Sequence, residues 1–395
     1  MRRGGPVLAA CLAALMLAAP AVQAAPRVTE GLPGPRPGCP PQPGIPAPAG
    51  EPWAQQALRF SAVWDRTRGS GVTVAVVDSG VDANPQFGDR VIPGPDLVAG
   101  TRPGVPPGAD CVGHGTAVAS IIAAAPVPGI SFTGVAPAAR ILSVKISGTD
   151  SFPTSAAPQG IMDAVQFGAD VINLSLATPD DVPALRNAVE YALRHNVVVV
   201  AAAGNDLRPG GSERAGPFYP ASYPGVLAVG AAAPGGALAG FSDRRTPVAV
   251  TAPGVNVTSA YPGTFPDAYA PAQNGTSFAS AFVAGVVALV RSAHPELSAA
   301  QVVARIEATA HGPAGPGTGH GLVDPVRAVT AVLPAASPGA ESASTRSTSP
   351  NTVAVIAGSA GLGVVVVAAV LAVSAVRRRR TGQPPGAGPS GRHAR

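Results

Sequence analysis

Val72-Thr-Val-Ala-Val-Val77, running directly into Asp78-Ser-Gly80, is the stretch on which the reading of the fold turns. The run is short, apolar throughout and rich in β-branched residues, with no alternation of apolar and polar positions. That pattern marks a strand covered on both faces, as strands in parallel sheets are. Asp-Ser-Gly then turns the chain at the strand's carboxyl end. Runs of the same kind recur at 140–146, 171–176 and 197–202, with shorter ones at 226–229 and 248–251. Helical stretches lie between and after them, at 160–167 and at 183–195, the latter with Asp180 and Asp181 as caps. Ser298 and Gln301 form a capping box for a further helix at 299–310. Gly/Pro-rich 88–109 reads as a loop, and no internal repeat is present. Apolar strands alternating with helices imply a doubly wound parallel α/β sheet flanked by helices.

A chain of 395 residues has room for one large domain with appendages or for two ordinary domains. Apolar residues make up 46% and charged residues only 12%, the composition of a compact globule. The net charge of +5 suggests nucleic acid until its placement is examined. Arg2, Arg3, Arg377 to Arg380, Arg392 and Arg395 sit in acid-free terminal segments; without those eight, 19 basic residues face 22 acidic ones. The body of the chain is therefore slightly acidic, which excludes a basic nucleic-acid surface.

Both ends carry targeting signals. Residues 1–24 have an arginine n-region, an apolar core from Val7 to Ala19 and a small-residue cleavage site at Val22-Gln-Ala24, the pattern of a secretory signal peptide. Its removal leaves two cysteines, Cys39 and Cys111, and an even count in an exported chain favours a disulfide. Residues 352–376 are uncharged and long enough to span a hydrocarbon core of ~30 Å as a transmembrane helix. Arg377-Arg-Arg-Arg380 follows, which by the positive-inside rule puts the C-terminus in the cytoplasm and the bulk of the chain outside. The expected organisation is thus a signal peptide at 1–24, a Pro-rich arm at 25–52, an α/β domain at 53–333, a Pro/Ser/Thr-rich tether at 334–351, the membrane span at 352–376 and a basic tail at 377–395.

Chemistry concentrates at three places. Asp78 ends a strand, where open α/β sheets bind their ligands. His114, in Gly113-His-Gly-Thr-Ala-Val118, stands at the mouth of a small-residue helix. Ser277, in Asn274-Gly-Thr-Ser-Phe-Ala279, opens an apolar helix that reads as core. There, free N–H groups and the helix dipole favour an oxyanion. A serine nucleophile needs an imidazole to take its proton, and the imidazole needs a carboxylate to hold its tautomer. The chain order Asp, His, Ser is that of subtilisin. A fourth element, Asn205 at the end of the buried run 197–202 and its Ala203-Gly204 continuation, offers an amide donor for the oxyanion. Taken singly, each has a bland counterpart: a turn, a helix cap, a core residue.

With these residues in hand, the stretch 53–333 resembles the subtilases. Asp78-Ser-Gly-Val81, His114-Gly-Thr-Ala-Val118, Gly134-Val-Ala-Pro137, Ala203-Gly-Asn205, Ala252-Pro-Gly254 and Gly275-Thr-Ser-Phe-Ala279 carry the resemblance. It implies a subtilisin-like fold and a serine endopeptidase, with Asp78 orienting, His114 as general base and acid, Ser277 as nucleophile and Asn205 in the oxyanion hole. It also implies substrate-binding segments at Ser175, Leu176 and Ala177 and at Ala202, Ala203 and Gly204. Ala281 stands where the family usually has proline, and Ala177 where it usually has glycine, so a narrower specificity pocket is expected. Neither a cofactor nor a metal site is expected.

Within the family the chain is most similar to the mycosins, membrane-anchored proteases of type VII secretion systems. Asp110-Cys111 ahead of the histidine motif, the short arm with Cys39, and the single C-terminal span carry that likeness. It implies polypeptide substrates, a plasma-membrane location and contact with type VII secretion channel components. It also implies an arm that wraps the domain without inhibiting it. Two other readings stay open at this point: a structural component of the secretion complex in which proteolysis is secondary, and a general cell-surface subtilase.

Overall fold

The computed structural model describes residues 39, 45–82, 84–98, 105–149, 153–206, 217–262 and 269–333. The signal peptide, most of the arm, the tether, the membrane span and the basic tail expected from the sequence lie outside these residues. Contacts divide the chain into Met1–Pro334 and Ala335–Arg395, and every described residue belongs to the first unit.

Seven parallel strands make one sheet: β1 (Thr73–Asp78), β2 (Val91–Asp96), β3 (Arg140–Lys145), β4 (Val171–Leu174), β5 (Val198–Ala202), β6 (Leu227–Ala232) and β7 (Val250–Pro253). Their order is β2-β3-β1-β4-β5-β6-β7. The helices are α1 (Trp53–Leu58), α2 (His114–Ala123), α3 (Ala157–Gln166), α4 (Pro183–Arg194), α5 (Thr276–Ala293), α6 (Ala299–Thr309) and α7 (Pro325–Thr330). A two-stranded antiparallel ribbon, β8 (Val257–Ala260) with β9 (Tyr269–Gln273), lies between β7 and α5 in the chain.

Both faces of the sheet are covered, and the period of two sorts its side chains. Val74 and Val76 of β1 pack with Val198 and Val200 of β5 into a core shared with α2 and α5. Ala75 and Val77 pack with Ile172, Leu174 and Val199 into a second core under α3 and α4. This two-sided burial is why the strands read as unbroken apolar runs. The steps β2 to β3, β3 to β4 and β4 to β5 all move the same way along the sheet. Since α2 lies on the opposite face from α3 and α4, the crossover through α2 has the opposite hand to theirs, a departure from the usual uniform right-handedness.

Helix α5 is long and apolar enough to cross a membrane by composition. It is instead the central helix of the first core, with Phe282, Val283, Val286, Val287 and Val290 all buried. The capping box expected at Ser298 is present, with Ser298 Oγ accepting from Gln301 N and Gln301 Oε1 accepting from Ser298 N.

The structure corrects three expectations. Residues 88–109 are not loop throughout, since β2 forms an edge strand there despite Pro93 and Pro95. An edge tolerates proline because one side of its ladder has no partner. Asp180 and Asp181 do not cap α4; its N-cap is Val182, without a side-chain bond. Asp181 instead pairs with Arg186 and accepts from Tyr223 Oη at 3.1 Å. Finally, α5 opens at Thr276, so Ser277 is its second residue, not its first.

Candidate active site

Strand β1 lies inside the sheet between β3 and β4, and Asp78 is its last residue, at the carboxyl edge where parallel α/β sheets bind their ligands. Asp78 is fully buried. Its Oδ1 accepts from Ser79 N at 2.8 Å and lies 2.7 Å from His114 Nδ1. Its Oδ2 is buried with no partner among the described residues. A carboxylate at this distance favours the neutral tautomer with its proton on Nδ1, which leaves Nε2 as the basic nitrogen. His114 is the first residue of α2, and its ring packs against Phe278 at 5.3 Å between centroids. Close approach of α2 to the β1 turn depends on Gly115: a Cβ there would stand 2.0 Å from Gly80 O.

Ser277 adjoins Phe278 in the first turn of α5, where backbone N–H groups lack intrahelical acceptors. Its hydroxyl donates to Ser175 O at 3.2 Å, so this proton is turned towards the β4 end of the sheet. Asn205 follows β5 and is held by its acceptor end. Its Oδ1 takes Thr276 N at 3.0 Å and Thr276 Oγ1 at 2.9 Å. Thr276 Oγ1 in turn accepts from Gly204 N at 3.2 Å. With Oδ1 committed, the other end of the amide, a donor, is oriented beside Gly275, where an added Cβ would meet Nδ2 at 3.5 Å. Gly204 itself has φ +97°, and a Cβ would collide with the Phe218 ring at 2.5 Å.

The remaining expected site residues divide. Ser175 and Leu176 are buried after β4, Ser175 in contact with Ser277, whereas Ala177 is exposed. Ala202 ends β5. Ala203 donates to Val229 O at 2.9 Å and accepts from Thr246 Oγ1 at 2.8 Å, and Gly204 O accepts from Asp243 N at 3.1 Å. The polar backbone groups of Ala203 and Gly204 are therefore engaged within the fold. Cys39 and Cys111 form a disulfide with a Cα separation of 4.9 Å. The arm is also paired to β9, by Ile45 N to Tyr269 O at 3.0 Å and Tyr269 N to Ile45 O at 3.3 Å. Among the described residues, no group of three or more His, Cys, Asp or Glu side chains could hold a metal ion.

Sequence reasoning missed two polar clusters around this centre. Arg245 contacts Asp206 at 2.5 Å and Asp243 at 2.8 Å, while Asp243 N and Thr246 Oγ1 hold Gly204 and Ala203, so this loop braces the segment that presents Asn205. Asp110 is a buried carboxylate that accepts from the backbone N–H of Gly113, the residue before His114. Burial pushes its carboxyl above the ordinary range, and hydrogen bonds from Thr116, Gly113 and Ser79 pull it back. Lys145, directly opposite Asp78 in the β1–β3 register, donates to Ala109 O beside it.

A carboxylate-held imidazole, a serine at a helix N-terminus and an amide fixed by its acceptor end, gathered at the carboxyl edge of a parallel α/β sheet, are the parts of a serine-hydrolase site. The subtilase family model (peptidase S8) matches residues 69–359. The chain belongs to the subtilase family. It is 42% identical over 248 residues to subtilisin amylosacchariticus of Bacillus subtilis subsp. amylosacchariticus, a match that covers 61% of each chain. It is 35% identical over 350 residues to Mycosin-3 of Mycobacterium tuberculosis (strain ATCC 25618 / H37Rv), covering 74% of each. Among solved structures, the MycP3 protease from the type VII (ESX-3) secretion system superposes with a TM-score of 0.62 at 34% identity, covering 73% of this chain and 92% of that one. The chain thus spans about three fifths (61%) of the length of the subtilisins it matches at 42% identity.

Proposed function

We propose that this protein is a membrane-anchored, outward-facing serine endopeptidase acting on polypeptides at or near a type VII secretion apparatus. The observation that carries the chemistry is the 2.7 Å contact of His114 Nδ1 with the buried Asp78, with Phe278, the residue after Ser277, packed on the same imidazole. In this reading substrate draws the Ser277 hydroxyl away from Ser175 O and towards Nε2. Oγ then bonds to the scissile carbonyl carbon as its proton passes to Nε2. The oxyanion that forms meets the Asn205 amide and the Ser277 N–H. Collapse breaks the C–N bond, and the imidazolium returns its proton to the leaving amine. Water, deprotonated by the same nitrogen, hydrolyses the acyl-enzyme. Donors fixed before reaction, as Asn205 is through Thr276, need no reorganisation when charge develops.

The membrane anchor rests on the uncharged stretch 352–376 and the arginines after it, and the secretion role on the likeness to Mycosin-3 and to the MycP3 protease. Complementing a strain that lacks the gene with wild type or with Ser277→Ala tests both parts. Loss of peptide cleavage by membranes of the Ser277→Ala strain, with altered processing of secreted proteins, supports the reading. Secretion and cleavage unaffected by Ser277→Ala contradict it.

A further inference from the structure

The mechanism above gives Asp110 no part, yet this carboxylate connects the two residues whose contact matters most. It is 2% exposed. Its Oδ1 accepts from Ser79 Oγ at 2.8 Å, Gly113 N at 2.7 Å and Val112 N at 3.1 Å. Its Oδ2 accepts from Thr116 N at 2.8 Å and Thr116 Oγ1 at 2.7 Å. Ser79 Oγ, having donated to Asp110, accepts from Gly115 N at 2.9 Å, while Ser79 N holds Asp78 Oδ1. One side chain therefore grips the backbone on both sides of His114 and the residue that follows Asp78. A helix cap alone would account for the bonds to Gly113 and Thr116 but not for the bridge through Ser79. Three of the five groups facing it are backbone N–H groups, which can only donate, and the two hydroxyls are placed to donate as well, an arrangement that suits an ionised carboxylate at both oxygens.

We propose that Asp110 is a positioning residue for the Asp78–His114 pair, locking the turn after β1 to the first turn of α2 and lending its charge to the imidazolium. This rests on the endopeptidase reading of the same site. The charged groups that face Asp110 are Asp82, whose Oδ1 accepts Asp110 N at 3.0 Å, Lys145 through Ala109 O, and Asp78 and His114 across Ser79. Asp82 and Lys145 stay in place when Asp110 or Ser79 is changed, so a shift in the His114 titration reports the loss of the Asp110 link.

The test uses the full chain, with kcat and KM on a peptide substrate and the rate of fluorophosphonate labelling followed across pH. Misplacement of a catalytic group by about 1 Å costs on the order of 10²-fold in rate. Asp110→Asn, which puts an amide donor against donors, is expected to lower kcat by roughly 10- to 100-fold with KM changed less than about threefold. The acid limb of its pH profile moves to lower pH, because the imidazolium loses a nearby negative charge. Ser79→Ala, which removes only the bridge, is expected to show the same signature in weaker form, and Ser79→Thr to recover part of the loss. Where Asp110→Asn does not fold, Ser79→Ala decides. Wild-type kcat and an unmoved acid limb in folded variants overturn the inference alone. A wild type that is never labelled removes the endopeptidase reading and this inference with it.

Discussion

Replacing Thr276 by valine separates structural from chemical work at the amide of Asn205. Valine keeps the shape of threonine at a position that is 1% exposed, so packing changes little. What disappears is the hydroxyl that donates to Asn205 Oδ1 at 2.9 Å and accepts from Gly204 N at 3.2 Å. A buried N–H left without an acceptor costs about 1–3 kcal/mol. In a domain of this size, that corresponds to a fall in Tm of roughly 2 to 5 °C. Asn205 keeps one anchor, Thr276 N at 3.0 Å, so its amide is loosened and not lost. Complete removal of an oxyanion donor costs on the order of 10²–10³ in turnover, and partial loosening is therefore expected to cost about tenfold. The effect should fall on kcat, with KM little changed, because the donor acts on charge that exists only in the transition state. The assay pairs denaturant unfolding of the full chain with steady-state cleavage of a fluorogenic peptide. Lower stability with wild-type kcat would show that the Thr276 hydroxyl serves the fold alone, and would refute the reasoning that it orients the Asn205 amide for catalysis.

Two further expectations follow from the same structure. The Cys39–Cys111 disulfide closes a loop of 72 residues, so Cys39→Ser with Cys111→Ser should lower stability by roughly 4 kcal/mol in the chain-entropy model, read as a drop in Tm with the domain still folding. Burial pushes the Glu307 carboxyl above its usual range, with the charge of His320 opposing the shift. The unfolded chain therefore ionises first as pH rises, and the wild type loses stability between the unfolded carboxylate value and the higher folded one. Glu307→Gln lacks that loss, so its advantage should be absent in acid and reach a plateau by neutral pH, as measured by unfolding at a series of pH values.

The sequence made the centre of the fold legible because β1, β4 and β5 are buried on both faces, so that most residues in them are apolar. The edge strand β2 escaped notice for the opposite reason: half-exposed and interrupted by Pro93, Gly94 and Pro95, it has the composition of a loop and gains its pairing only from β3. The ribbon β8–β9 is equally silent, since its strands are short and its pairing is settled by β9 meeting both β8 and Ile45. At the site, Asp78, His114, Ser277 and Asn205 were named from local motifs because each sits at a strand end or helix start with a recognisable context. Asp110 and Arg245 were not, because their meaning lies in contacts with residues 31 and 39 positions away, respectively, which no local pattern records. Asp181 shows the converse: a residue placed like a cap whose actual partners, Arg186 and Tyr223, come from the helix interior and a distant loop.

The proposed chemistry depends on one serine. Treating the full chain with a fluorophosphonate and mapping the adduct by peptide mass should place it on Ser277, and Ser277→Ala should take up none while melting within about 0.5 kcal/mol of wild type, since the hydroxyl makes only one long bond, to Ser175 O. Labelling that persists in the variant, or a wild type whose adduct maps to another residue, would contradict it.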